Sequence, residues 1–127
     1  MELRGSAFSE SGIESIRIPS TLKVIEAITF YQCKNLKTVE FSEGLERIEF
    51  GAFVQSGIRS IVLPTSTRAV CAQAFGWCKQ LRTVRLNEGL EVLGAEENFL
   101  GETYSGCTFK ESAVESIEIP STLTVLT

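Results

Sequence analysis

Apolar side chains recur along this chain with a period too long for one helix or strand and too short for a domain. A phenylalanine stands at Phe8, Phe30, Phe53, Phe75 and Phe109, at spacings of 22, 23, 22 and 34 residues. Three residues after each comes a small side chain: Ser11, Cys33, Ser56, Cys78 and Ser112. An apolar triplet then follows at i, i+3 and i+5, filled by Ile13, Ile16 and Ile18, by Leu36, Val39 and Phe41, by Ile58, Ile61 and Leu63, by Leu81, Val84 and Leu86, and by Val114, Ile117 and Ile119. Within each triplet apolar and polar residues alternate, which predicts a short strand with one face inward. A second cluster, Leu22, Val24 and Ile25 and their counterparts Leu45 and Ile48, Ala69 and Val70, Leu90, Val92 and Leu93, and Leu123, Val125 and Leu126, predicts a second short strand. The stretch closing each unit ends in Ala7, Thr29, Ala52, Ala74 or Thr108. It is too short for an ordinary α-helix and predicts a tight turn or a single helical turn.

The units alternate between two kinds. Short ones read S-G-I after the phenylalanine, with Gly12 and Gly57 offering a tight or left-handed backbone, and Ala113 replacing the glycine in the last. Long ones carry Lys34-Asn35 or Lys79-Gln80 there. At the strand exit the short units have Pro19, Pro64 and Pro120, and the long ones Glu43-Gly44-Leu45 and Glu88-Gly89-Leu90. The translational period is therefore 45 residues, one unit of each kind, as from Phe8 to Phe53. A unit of 22 residues cannot close a core alone, so the units are expected to stack into one domain spanning 1–127. The single irregular spacing places 11 extra residues, an acidic stretch with Glu96, Glu97 and Glu102, within about 95–107. That insertion is expected to be a surface loop, or else a partner-contacting one.

The succession L-x-x-I-x-L-P, V-x-x-I and A-F-x-x-C, as in Ile58 to Pro64 and Ala74 to Cys78, resembles the leucine-rich repeats of the Treponema or BspA-like type, from Leu3 to Leu126 excepting the insertion. The resemblance implies an α/β-type repeat solenoid, mostly β: a curved stack with short parallel strands on its concave side, turns or single helical turns behind, and no long helices. A right-handed parallel β-helix is the alternative architecture. Such repeats occur in bacterial and protist surface proteins that adhere to host proteins or other cells. This implies a non-enzymatic protein-binding or adhesion module, at the cell surface or secreted if the parent protein follows the family. Arg47 and Thr67 depart from the pattern where sister units are apolar, and Thr29 and Thr108 replace the alanine before phenylalanine. Both termini cut a unit at nearly the same phase without a polar cap. Either the chain is a piece of a longer array or its ends associate.

Composition narrows the chemistry further. With 43% hydrophobic and 22% charged residues the chain can bury a core. Its net charge of -4 gives no overall basic field, so no nucleic-acid partner is expected. It has no histidine, and all sixteen acidic residues are glutamates, which excludes Ser-His-Asp catalysis, His-ligated metals and EF-hand calcium loops. The N-terminus lacks the apolar core of a secretory signal, and no apolar run approaches the ~20 residues of a membrane-spanning helix, so a soluble chain is expected. Cys33 and Cys78 share a column two units apart. Two steps of ~4.8 Å separate them by about 10 Å, beyond the reach of a disulfide, so they are expected to be small buried apolar residues. Cys71 and Cys107 are expected in turns of a different phase, and the four thiols do not converge on a metal. No cofactor or metal is expected.

If the first strands line the concave face, their outward residues form columns. One is all hydroxyl: Ser15, Thr38, Ser60, Thr83 and Ser116. Flanking it run Glu14, Lys37, Arg59, Arg82 and Glu115 on one side and Arg17, Glu40, Val62, Arg85 and Glu118 on the other. Lys37, Arg59, Arg82 and Arg85 make a basic centre beside the lone apolar Val62, and these are the candidate partner-binding residues. Trp77, with Tyr31, is expected to be an exposed aromatic that could bind a partner or a glycan. The remaining alternative is self-association through the solenoid ends.

Overall fold

A computed structural model of the chain describes residues 8–99, 101–104, 106 and 108–126; Leu3 to Ala7 and Cys107, which enter the repeat pattern or the cysteine argument, lie outside the described residues. Each unit folds as its apolar spacing predicts. The strands in chain order are β1 (Ser15–Arg17), β2 (Val24–Ile25), β3 (Thr38–Glu40), β4 (Arg47–Ile48), β5 (Ser60–Val62), β6 (Ala69–Cys71), β7 (Thr83–Arg85), β8 (Val92–Ala95), β9 (Glu97–Phe99), β10 (Glu102–Tyr104), β11 (Ser116–Glu118) and β12 (Val125–Leu126). No helix occurs among the described residues.

The second strands build one five-stranded parallel sheet in the order β12-β8-β6-β4-β2. The first strands are also parallel but are divided into β1-β3 and β11-β7-β5. At the division β3 and β5 lie side by side without forming a ladder, and a main-chain bond from Arg59 N to Lys37 O is drawn out to 3.4 Å. Elsewhere the register follows the repeats, Ser15 opposite Thr38 and Ser60 opposite Thr83. Middle residues of β3, β5 and β7 point inward and their neighbours outward.

The third side of each unit is a turn rather than a strand, yet it is stitched to its neighbours in the same way. The amide of each ladder phenylalanine donates to the carbonyl of the residue before the next one: Phe8 to Thr29 at 2.9 Å, Phe30 to Ala52 at 2.8 Å, Phe53 to Ala74 at 2.8 Å, and Phe75 to Thr108 at 2.9 Å. Those preceding residues are small because they are buried at the close approach of two backbones. Two residues after each phenylalanine the backbone turns left-handed, at Glu10, Gln32, Gln55, Trp77 and Glu111, with φ between 52° and 60°. Glycine is absent from this column, so each unit stores some backbone strain there.

Gly12 and Gly57, by contrast, are not left-handed. Gly57 is required for another reason: a Cβ there would lie 2.5 Å from the Lys34 carbonyl oxygen of the preceding long unit. Cys71 lies in β6 rather than in a turn. Cys33 and Cys78 are free and buried, as the phase argument requires, and Cys71 is buried too. Cys33 Sγ donates to Phe8 O at 2.9 Å and Cys78 Sγ to Phe53 O at 3.1 Å, so these thiols tie adjacent units together instead of merely filling space. Burial pushes the Cys78 thiol pKa up. Thr67 is fully buried where its sister residues are apolar, and its hydroxyl donates to Leu45 O at 3.0 Å. Arg47 stays at the margin, paired with Glu49 at 3.3 Å.

The insertion is an antiparallel hairpin rather than a featureless loop, β9 against β10 with Glu102 opposite Phe99. It leaves the stack at a bulge, where Cys71 pairs with Ala95 and Gly94, at φ +83°, is skipped. It returns through Gly106, whose amide donates to Gly94 O at 2.9 Å.

The core lies between the two sheets and the turns. Its axis is a stack of five rings, Phe8, Phe30, Phe53, Phe75 and Phe109, with centroids 5.4, 5.0, 5.2 and 5.8 Å apart and planes within 13° of parallel. The three central rings are fully buried, and Phe8 and Phe109 only partly. Burial of one such side chain contributes roughly 1.5–3 kcal/mol, to which the stacking adds. Phe53→Ala is therefore expected to destabilise the chain by about 3–5 kcal/mol, and Phe8→Ala by clearly less. Urea unfolding of the two variants checks this; equal losses would mean that the ring stack does not set the stability.

Candidate functional site

Outward residues of the first strands are the candidate site, and the strand alternation places them as the columns predict. Lys37, Arg59 and Arg82 immediately precede β3, β5 and β7 and are exposed. Arg85 is the exposed last residue of β7. Val62 ends β5, and at 59% exposure it is the most exposed of the large hydrophobic residues among those described. The hydroxyl column runs exposed between these flanks.

The charges are not equivalent. Arg82 Nη1 is paired with Glu115 Oε1 at 2.9 Å, an interaction between residues 33 apart in sequence. Arg17 pairs likewise with Glu40 at 3.2 Å. Among the described residues, Lys37, Arg59 and Arg85 have no acidic partner within 4 Å. The basic centre therefore rests on three cations rather than four.

Two depressions lie at the exits of these strands. One, of about 630 Å³, opens where β3 and β5 fail to pair, between Lys37, Glu40, Phe41 and Glu43 on one side and Val62, Leu63, Pro64 and Thr65 on the other. The second, of about 440 Å³, continues it past Arg85, Asn87 and Glu88 to Glu118 and Pro120. Val62, Leu63 and Thr65 line both. Lys37, Val62 and Arg85 are thus brought to one groove, while Arg59 and Arg82 stay at the entry ends of their strands, outside it. Glutamates outnumber the basic residues along the groove, so this face is basic at the strand entries and acidic at the exits.

Sequence reasoning missed the exit residues Glu43, Asn87 and Glu88. Asn87, where short units have proline, is buried, and its Nδ2 donates to Thr67 O at 2.8 Å, to Glu88 O at 3.1 Å and to Thr65 O at 3.3 Å. Its place in the proline column was the available signal. Trp77 does not join the groove: it is half-buried in the turn after Phe75, with the Lys110 ammonium 5.3 Å from its ring centroid. Tyr31 is half-buried too. Neither is a fully exposed platform.

A family model for the BspA type leucine rich repeat region matches residues 1–127 in six copies. The chain belongs to that family. Among solved structures, the crystal structure of the pneumococcal vaccine antigen PcpA resembles this leucine-rich repeat chain with a TM-score of 0.71. Identity is 24%, and the match covers 95% of this chain and 36% of that one, so the repeat chain spans little more than a third of the antigen's length. The likeness is one of fold. No curated protein sequence matches the chain.

At the strand exits Glu43 accepts from the Thr65 hydroxyl at 2.6 Å and from the Thr65 amide at 2.9 Å. The hydroxyl first, and the amide second, hold its carboxyl below the usual glutamate range. A lowered carboxyl pKa stabilises the fold above the ordinary carboxyl range, and that contribution is lost as pH falls through Glu43's own lowered value. Thr65→Val is expected to move the Glu43 pKa upward toward the ordinary value, with the amide bond retaining part of the effect. Carboxyl carbon NMR titration reads this directly; an unchanged Glu43 would mean the hydroxyl is not its partner in solution.

Proposed function

We propose that this repeat chain is a non-enzymatic protein-binding module whose first-strand face takes a protein partner. The observation that carries the reading is Val62, a largely exposed aliphatic residue in an otherwise charged column, on the wall common to both depressions. Small interfaces draw most of their affinity from a few desolvated apolar contacts, with surrounding charge setting orientation and encounter rate. Lys37, Arg59 and Arg85, with no carboxylate within 4 Å among the described residues, supply that charge on the same face as Val62. Family membership supports an interaction role of this kind, and adhesion is the form of it we propose.

The test is a panel of purified extracellular-matrix and cell-surface proteins measured by surface plasmon resonance against the chain. For a partner so found, Val62→Glu and the Arg59→Glu/Arg85→Glu pair are each expected to weaken binding about tenfold, the pair with a reduced salt dependence. Lys23→Glu, beside the second-strand sheet and paired with Glu46 at 3.5 Å, is expected to leave binding unchanged. A partner indifferent to both first-strand variants would place the interface elsewhere.

A further inference from the structure

The two long units grip the short units that follow them by one and the same set of bonds. Glu43 takes the amide and hydroxyl of Thr65, while the Gly44 amide donates to Ser66 Oγ at 2.9 Å and Ser66 Oγ donates onward to Leu45 O at 2.8 Å. Forty-five residues later Glu88 takes the amide and hydroxyl of Ser121 at 3.2 and 2.9 Å, the Gly89 amide donates to Thr122 Oγ1 at 2.9 Å, and Thr122 Oγ1 donates to Leu90 O at 2.9 Å.

The opposite side of a long unit is equally particular. A Cβ on Gly44 would lie 2.5 Å from Ser20 O of the short unit before it, and one on Gly89 would lie 3.0 Å from Thr65 O. Both glycines have φ above 100°. A short unit therefore presents a Pro-Ser/Thr-Ser/Thr turn that receives a Glu-Gly-Leu turn on one side and a bare glycine on the other. Both faces are complementary to a long unit, and neither to a second short one.

The first unit is short and carries Pro19-Ser20-Thr21-Leu22, the same four residues as Pro120-Ser121-Thr122-Leu123 in the last. Ser20 and Thr21 are exposed, and among the described residues no carboxylate or glycine amide grips them. We propose that the outer face of the first unit is a docking surface for a repeat of the long type. Its Glu-Gly-Leu turn takes the Ser20 amide and hydroxyl and the Thr21 hydroxyl, as Glu88-Gly89-Leu90 takes Ser121 and Thr122. A second copy stacked head to tail offers the wrong partner, because the unit it brings to this face is the short one containing Pro120. This inference does not depend on which face binds a protein partner.

The experiment extends the full chain before Met1, in register, with a copy of residues 23–45, which is long-type, or of residues 46–67, which is short-type. The long extension is expected to raise the thermal midpoint about 3–6 °C more than the short one, and to slow Ser20 amide hydrogen exchange at least tenfold. Glu43→Ala within the appended copy alone is expected to remove most of that protection while circular dichroism stays that of a folded chain. Equal stabilisation by both extensions, an unprotected Ser20 amide in the long one, or a long extension that does not fold where the short one does would overturn the proposal. So would Ser20 protection that rises with concentration in the unextended chain, since the occupant would then be a second copy.

Discussion

Everything in this molecule depends on each unit repeating the backbone path of its neighbour closely enough for main-chain groups to meet on all sides. The phenylalanine amides reach the carbonyl before the next phenylalanine at 2.8–2.9 Å, while the first and second strands pair with their counterparts except between β3 and β5. A segment of 22 residues encloses no core of its own, so its side chains leave water only against the units above and below. The stacked rings follow from that translation. They lie within 13° of parallel because identical backbones present identical side chains, and not because flat stacking is an aromatic pair's favoured geometry.

The alternation of unit types is the same constraint at finer grain. Long units supply a carboxylate and two backbone groups to the turn ahead of them and a Cβ-free surface to the turn behind. Short units supply the hydroxyls and the carbonyl that fit. The departures that look like errors in the repeat are solved locally: Thr67 spends its hydroxyl on Leu45 O, and Gly94 bulges to let the hairpin leave without disturbing the ladder beyond it. Where long unit meets short unit at β3 and β5 the first sheet does not close, and the groove opens there. The face that carries the candidate site is therefore shaped by an imperfection in the stacking rather than by a feature of any one unit.

The exposure of the candidate residues was legible in the sequence. Val62 stood out because it broke a charged column, and the strand period put it outside. The same period put Lys37, Arg59 and Arg85 outside. The columns put Glu115 beside Arg82, but that the two side chains meet at 2.9 Å is settled only by the structure. Trp77 was misjudged because exposure at a turn depends on what the next unit lays over it, here Lys110.

Sequence alone determined the architecture: five phenylalanines, the apolar triplets and the 45-residue period leave a stacked solenoid as the arrangement that buries them. It also determined that Cys33 and Cys78 stay apart, since two translations exceed a disulfide's span. Tertiary structure decided why the period is 45, because the Glu-Gly-Leu grip joins residues of neighbouring units. It decided which cations remain free, and it gave the insertion its hairpin. It also moved the left-handed backbone from Gly12 and Gly57 to the residues two after each phenylalanine. Each of these is settled by a contact between units, and the residue pattern within a unit fixes only that such contacts recur.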